Sequence, residues 1–487
     1  MVRKHINIVI ASIWSIISII MGLVFLKKNY EPSELYKGLI GKDQQIFWLI
    51  IAIAIAVLLI FSFITLIVKA IQNGRDSDEC KILMFSLPFF IVLFSYFVAS
   101  YIVSPYDHHY PGEDELYVLD AALNCFPYRF VYLSEMYLVS FMLIPSFLAP
   151  AIFKVVWVSL FMGYVVFRVK SYYNSNMAYC IYLLCLLKPF YALGTEIHRM
   201  QWYGFIYLFV MVKLCFDVMD KETKQYTWKD IASVIFFTAL LSVLRREGMY
   251  LLVFGLILVL LAYAKKDKKA NAIIIASFFV VELLFNIPIM INGMGEGRTA
   301  QNAIVVHILG EQSLDREKVS DELEVLGKVY DIEKIDLYNN IFGIEGFDNN
   351  QFDNPGFYDG VFYIEREDSD VSEVECKVAF SGLITKQPVA FIKSRLRAFV
   401  AAGRQQDSYN LYVPLMLLIT ELIYSIAHKR LSWIVMMLGV LAHIGLTTLA
   451  MPASLFKYYF EMWLIAYTWL VVMILDNNKI NLEEKHM

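Results

Sequence analysis

Asp114 and Glu115, within Tyr110-Pro111-Gly112-Glu113-Asp114-Glu115-Leu116-Tyr117, form a carboxylate pair just past a long apolar segment. Ionised side chains at the edge of a membrane core are costly and are kept for substrate or ion chemistry. This loop is therefore the first place to look for what the protein does. Two further turns bring charge to the ends of apolar runs: Gly194-Thr195-Glu196-Ile197-His198-Arg199 and Arg245-Arg246-Glu247-Gly248. The second interrupts two apolar runs with almost no loop. At least one of its guanidinium groups sits close to hydrocarbon and needs an anionic partner. Lipid phosphate is one candidate, because a guanidinium fork binds phosphate oxygens bidentately; a structural ion pair with Glu247 or a neighbouring acid is the other.

The remaining polar strings lie late in the chain. Pro388-Val389-Ala390-Phe391-Ile392-Lys393-Ser394-Arg395-Leu396-Arg397 alternates apolar and basic faces at helical spacing, and no acid occurs from Lys377 to Arg404. It is expected to be a basic amphipathic helix on the membrane surface, attached to anionic headgroups or helping to hold a phosphate-bearing lipid through Lys393 and Arg397. Lys457-Tyr458-Tyr459 opens the last apolar run. Taken singly, each of these is an interfacial anchor in which Arg, Lys and Tyr reach headgroups. Their coincidence on one face with an acidic pair points to a shared polar cavity.

The elements that must position these residues are membrane helices. Of 487 residues 59% are hydrophobic and 18% charged, and the mean hydropathy is +0.56, which defines an all-α polytopic membrane protein. The net charge of -4 lacks the basic excess that a nucleic-acid partner requires. Apolar runs near 6–26, 46–68, 82–103, 147–168, 177–193, 202–219, 231–244, 249–264, 270–292, 410–427, 431–451 and 456–475 predict about twelve transmembrane helices. Arg3-Lys4 precedes the first, which lacks a small-residue cleavage site and reads as a retained helix rather than a signal peptide. Alternate connections are basic: Arg75 and Lys81; Arg168 and Lys170; Lys221, Lys224 and Lys229; Lys265-Lys266-Asp267-Lys268-Lys269; His428-Lys429-Arg430. By the positive-inside rule the N-terminus is cytoplasmic and the polar strings above are extracytoplasmic, in the cell membrane. The connection with Lys27, Lys28, Lys37 and Lys42 runs against this pattern.

The organisation that follows is two N-terminal helices over 1–81; a membrane core over 82–292 with the acidic pair in an outer loop at 104–146; an extracytoplasmic loop over 293–409; and C-terminal helices over 410–487. The isolated charges Lys154, Lys188, Lys213, Glu282, Glu421 and Glu461 fall within apolar runs, where such groups pair between helices. The six cysteines show no metal-ligand spacing. No long-period repeat, Ser-His-Asp, HExxH or P-loop pattern is present.

In order and sidedness, the acidic pair, the Arg-Glu-Gly turn, the segment from Pro388 to Arg397 and Lys457-Tyr458-Tyr459 resemble the GT-C superfamily of integral-membrane glycosyltransferases, over roughly 82–475. The group with protein O-mannosyltransferases and aminoarabinose transferases is the most similar. Two departures stand out: the helices over 1–81 precede the usual first helix, and Lys457 stands where the family has Arg. The resemblance implies transfer of a sugar from a polyprenyl-phosphate donor to an acceptor on the outer face. Carried over by position, it makes Asp114 the general base and Glu115 its partner. It implies that Glu196, His198, Arg199, Arg245, Arg246, Lys393, Arg397, Lys457 and Tyr458 hold substrate. The chemistry is coherent: a carboxylate takes the proton of the acceptor hydroxyl and cations stabilise the departing phosphate. No cofactor is required, although an acidic pair also suits a divalent ion. A transporter or flippase of a lipid-linked sugar would place the same charges along a path, and a cell-envelope assembly subunit is a third class.

Overall fold

The computed structural model describes residues 2–30, 42–103, 113–127, 131–292, 304–305, 307–336, 370–404, 410–450 and 456–486. Among these residues the protein is helical without strands, and eight helices are long and apolar enough to cross a membrane. It is a polytopic membrane protein. The chain divides into two compact units, Met1–Gly293 with Leu417–Gly439 and Glu461–Met487, and Met294–Met416 with Val440–Phe460.

The first unit opens with α1 (Val2–Asn29), α2 (Lys42–Asn73) and α3 (Asp78–Val103). Large aliphatic side chains such as Ile13, Ile16 and Ile20 stay exposed on α1, as helices facing lipid require. The connection after α3 holds two short helices, α4 (Glu113–Leu123) and α5 (Val131–Leu143), where the sequence reading had only an outer loop. The thirteen residues of α5 are too few to span a bilayer, so a length criterion passes over them. Their apolar character is nevertheless used, because α5 is buried against α1, α2, α4 and α6 (Ala149–Tyr173). Helix α3 packs along α6 at close range. A side chain at Gly163 would place its Cβ 2.7 Å from Ser86 N and 2.8 Å from Ile82 O, so the crossing depends on glycine there.

The run expected as one span over 177–193 is broken. A 3-10 helix covers Asn176–Leu186 and α7 covers Lys188–Thr195, bent by 72°. Pro189 supplies the cause, since it lacks the N–H that a continuous helix would bond back to the preceding turn. There follow α8 (Arg199–Met219), α9 (Trp228–Leu244), a 3-10 turn over Arg246–Tyr250, α10 (Leu251–Tyr263) and α11 (Lys268–Asn292). Helix α9 starts on a capping box, with Thr227 and Asp230 satisfying each other's backbone donors. The far ends of α6, α8 and α10 are stapled by one network. Arg168 binds Asp217 at 2.9 Å and Asp220 at 3.1 Å, Lys213 binds Asp217 at 2.9 Å, and Tyr263 donates to Asp217 at 2.5 Å.

In the second unit, α12 (Ser320–Val329) and α13 (Glu373–Lys386) pack together, and α14 (Pro388–Arg404) follows. Their core includes Ile308, Leu309, Leu326, Val329, Leu383 and Ala390. Helix α14 begins at the expected proline, but its faces are not those of a helix in a soluble core. Ala390, Ser394, Arg395, Ala398 and Ala402 are buried, whereas Val389, Ile392 and Leu396 are exposed beside Lys393. The chain closes with α15 (Tyr412–Ala427), α16 (Leu431–Ala450) and α17 (Phe460–His486). Within the first unit, Trp433 of α16 meets Trp469 of α17 edge to face at 5.5 Å, and Arg430 binds Asp476 at 2.8 Å.

Candidate functional site

Two of the polar turns named from sequence are brought together in the first unit. The Glu196–Arg199 turn joins α7 to α8. Lys154, on α6 and fully buried, donates to the carbonyls of Leu193, at 2.9 Å, and Glu196. Tyr137, on α5, donates to Ile197 O at 2.7 Å. The Glu196 carboxylate accepts from Gln201 Nε2 at 2.6 Å, and His198 caps α8 by accepting from Met200 N through Nδ1 at 3.2 Å. Arg199, half-buried, is the first residue of α8.

One turn further into α8, Tyr203 meets the second polar turn. The Arg245 guanidinium lies 5.2 Å from the Tyr203 ring centroid, and the Tyr203 and Tyr250 hydroxyls are 3.0 Å apart. Arg245 is 1% exposed and pairs with Glu461 at 3.4 Å and Glu247 at 3.5 Å. Of the two roles open to it, the ion pair is the one this geometry carries. A Cβ at Gly248 would lie 2.6 Å from Leu241 O, so the turn needs glycine to close. Gly194 and Gly248 therefore punctuate turns that carry the charged groups.

Asp114 and Glu115 fall in the first turn of α4, which packs on α5. Their side chains, like that of Arg246, lie outside the described ones. Helix α5 thus joins the helix of the acidic pair to the Glu196–Arg199 turn, and α8 joins that turn to Arg245 and Glu461. Carboxylate, imidazole and guanidinium groups from three stretches of chain are carried on contiguous elements. Such a set can accept a proton and can counter a phosphate charge.

The other named residues lie in the second unit. Lys393 is exposed, and Arg397 is held by Glu311 at 2.8 Å. Tyr458 is buried and Lys457 half-buried in a 3-10 turn over Phe456–Tyr459, and Phe399 of α14 meets the Tyr459 ring at 5.1 Å. This contact sets α14 against the Lys457-Tyr458 turn. Arg395, absent from the sequence reading of the site, is fully buried and 2.5 Å from His307 Nδ1. Away from the membrane segments, the Lys386 ammonium is pushed up from its ordinary value by its hydrogen bond to Glu322, and the Glu375 carboxyl is pushed down by hydrogen bonds from Ser372.

Sequence reasoning passed over Tyr137, Gln201, Tyr203 and Tyr250, which look like ordinary core residues in apolar helices. Lys154 and Glu461 did give a signal, as charges inside apolar runs, and their partners now account for both. Lys213 and Glu282 are likewise paired, with Asp217 and with Ser242 at 2.5 Å, whereas the carboxylate of Glu421, 1% exposed, has no hydrogen-bond partner among the described residues. All six cysteines are free. Among the described residues no group of three or more His, Cys, Asp and Glu is placed to hold a metal ion. No protein-family model, no curated protein and no solved structure matches this chain.

Proposed function

We propose that the protein is a membrane glycosyltransferase of the GT-C kind, moving a sugar from a polyprenyl-phosphate donor to an acceptor on the outer face of the cell membrane. The observation that supports the reading is the contiguity of the polar turns: α5 packs on the acidic-pair helix α4 and hydrogen-bonds Ile197, while α8 carries Arg199 and, through Tyr203, meets Arg245. In this reading Asp114 takes the proton from the acceptor hydroxyl as the sugar carbon leaves the donor phosphate, and Glu115 holds its neighbour's charge state. Arg199 and Arg246 counter the phosphate that departs. Arg245 keeps its carboxylates and shapes the turn that presents Arg246. The bent pair and the shorter α9, α10 and α15 each cross the bilayer, giving twelve spans with the N-terminus cytoplasmic.

A transporter or flippase of the lipid-linked sugar is the second reading, favoured by the 72° break between the 3-10 segment and α7. Interrupted helices are common at transporter sites. The test is reconstitution into liposomes with a radiolabelled polyprenyl-phosphate sugar and a mixed extract of envelope acceptors. A transferase releases polyprenyl phosphate and labels an acceptor. Movement of intact labelled lipid between leaflets, with no release, overturns the transferase and establishes the transporter.

A further inference from the structure

Lys154 has no part in the chemistry proposed above, yet its side chain is fully buried in a helix that crosses the membrane. A buried ammonium is costly and persists where something specific holds it. Its donors go to main-chain carbonyls: Leu193 O, in the last turn of α7, at 2.9 Å, and Glu196 O just beyond. The last carbonyls of a helix have no donor of their own, and a cation there also meets the negative end of the helix dipole. The Glu196 carboxylate supplies a countercharge. From α5, Tyr137 donates to Ile197 O at 2.7 Å. Three carbonyls within five residues are therefore gripped by side chains from two different helices. Helix α6 is a firm base for this grip, because it is continuous over 25 residues and locked to α3 at Gly163.

We infer that Lys154 is a positioning residue, which with Tyr137 clamps the Glu196–Arg199 turn so that the Glu196 carboxylate and the Arg199 guanidinium face substrate in one orientation. The role of that turn in substrate binding rests on the transferase reading; the clamp itself does not. An ammonium has three donors, enough to serve both carbonyls at once.

The test uses the full chain in nanodiscs. Amide exchange across 195–202 in Lys154→Met is expected to be at least about tenfold faster than in the wild type, with α9 and α10 unchanged, since removing the clamp permits local opening. Tyr137→Phe, which deletes one hydroxyl, should accelerate the same segment by a smaller factor and guards against misfolding of the lysine variant. Unchanged protection in both overturns the clamp. In the transfer assay, Lys154→Met combined with Glu196→Gln should lose no more than the worse single variant, within about threefold, because residues acting through one unit do not add. Multiplied losses overturn the positioning role and leave general stability. Absence of transfer by the wild type overturns the transferase reading instead, and the exchange measurement still decides the clamp.

Discussion

A guanidinium that is 1% exposed and paired with two carboxylates cannot grip a phosphate without giving up those partners. On the proposed reading, Arg245 and Arg246 are neighbours in sequence with separable roles. Arg245→Ala removes a charged partner of Glu461, whose side chain is fully buried, and breaking a buried pair in this way costs about 3–5 kcal/mol. A large fall in the melting temperature of the detergent-solubilised protein is expected, and an unchanged value would refute the structural role. Arg246→Lys should leave that temperature alone and weaken donor binding, because a point charge cannot reproduce the planar fork; donor affinity measured by equilibrium dialysis decides it. Asp114→Asn keeps the shape of the side chain and removes its basicity, so turnover should fall by about 10²–10⁴-fold with the donor still bound. Near wild-type turnover would remove Asp114 from the role of base.

Helices tell a different part of the story from single residues. Most element positions were legible because apolar runs of bilayer length have few alternatives. The exceptions each have a cause. Helix α5 is too short to register as a span, and Pro189 divides a run whose composition reads as continuous. In α14 the expected helical period is present, and two of its arginines, Arg395 and Arg397, meet His307 and Glu311 within the same unit. Val389, Ile392 and Leu396 are exposed beside Lys393, a combination suited to headgroups over acyl chains. Tryptophan placed at Ile392 should be quenched by nitroxide-labelled lipids, and tryptophan at Ser313 should not; equal quenching would remove the lipid contact. Helix α13 carries its own pH signature. Glu375 accepts from Ser372 N and Oγ at 2.9 and 2.7 Å, which lowers its folded pKa below the unfolded value. The stabilisation is therefore present above the unfolded pKa, near 4.3, and is lost as pH falls through the lower folded value. Amide exchange at the start of α13 should accelerate below about pH 4 in the wild type and lose that dependence in Glu375→Gln.

At the scale of the whole chain, the arrangement of the first unit follows the alternation of basic and mixed connections that the sequence displays. Arg168, Lys213, Asp217, Asp220 and Tyr263 gather the ends of α6, α8 and α10 that lead into the basic connections. The opposite ends of α8 and α10 carry the Glu196–Arg199 and Arg245–Gly248 turns. The part of the candidate site that could be read from sequence was the set of charges in those turns and Lys154 as a charge inside an apolar run; the tyrosines, and the carbonyls that the lysine holds, could not, because those contacts join residues far apart in the chain. Two separated ends make orientation a sharp question, since lysine and arginine in short connections are retained on the cytoplasmic side. Thr223 stands in the connection after α8 and Ser313 in the second unit, exposed and past the end of α11. In a cysteine-free background, Ser313→Cys should react with an impermeant maleimide on intact cells, and Thr223→Cys only after permeabilisation. The pair is needed because one label alone does not distinguish burial from sidedness. Labelling of Thr223→Cys from outside, with Ser313→Cys protected until permeabilisation, would invert the protein, place the acidic-pair helix and the arginine turn on the cytoplasmic face, and remove the basis for an extracytoplasmic transferase.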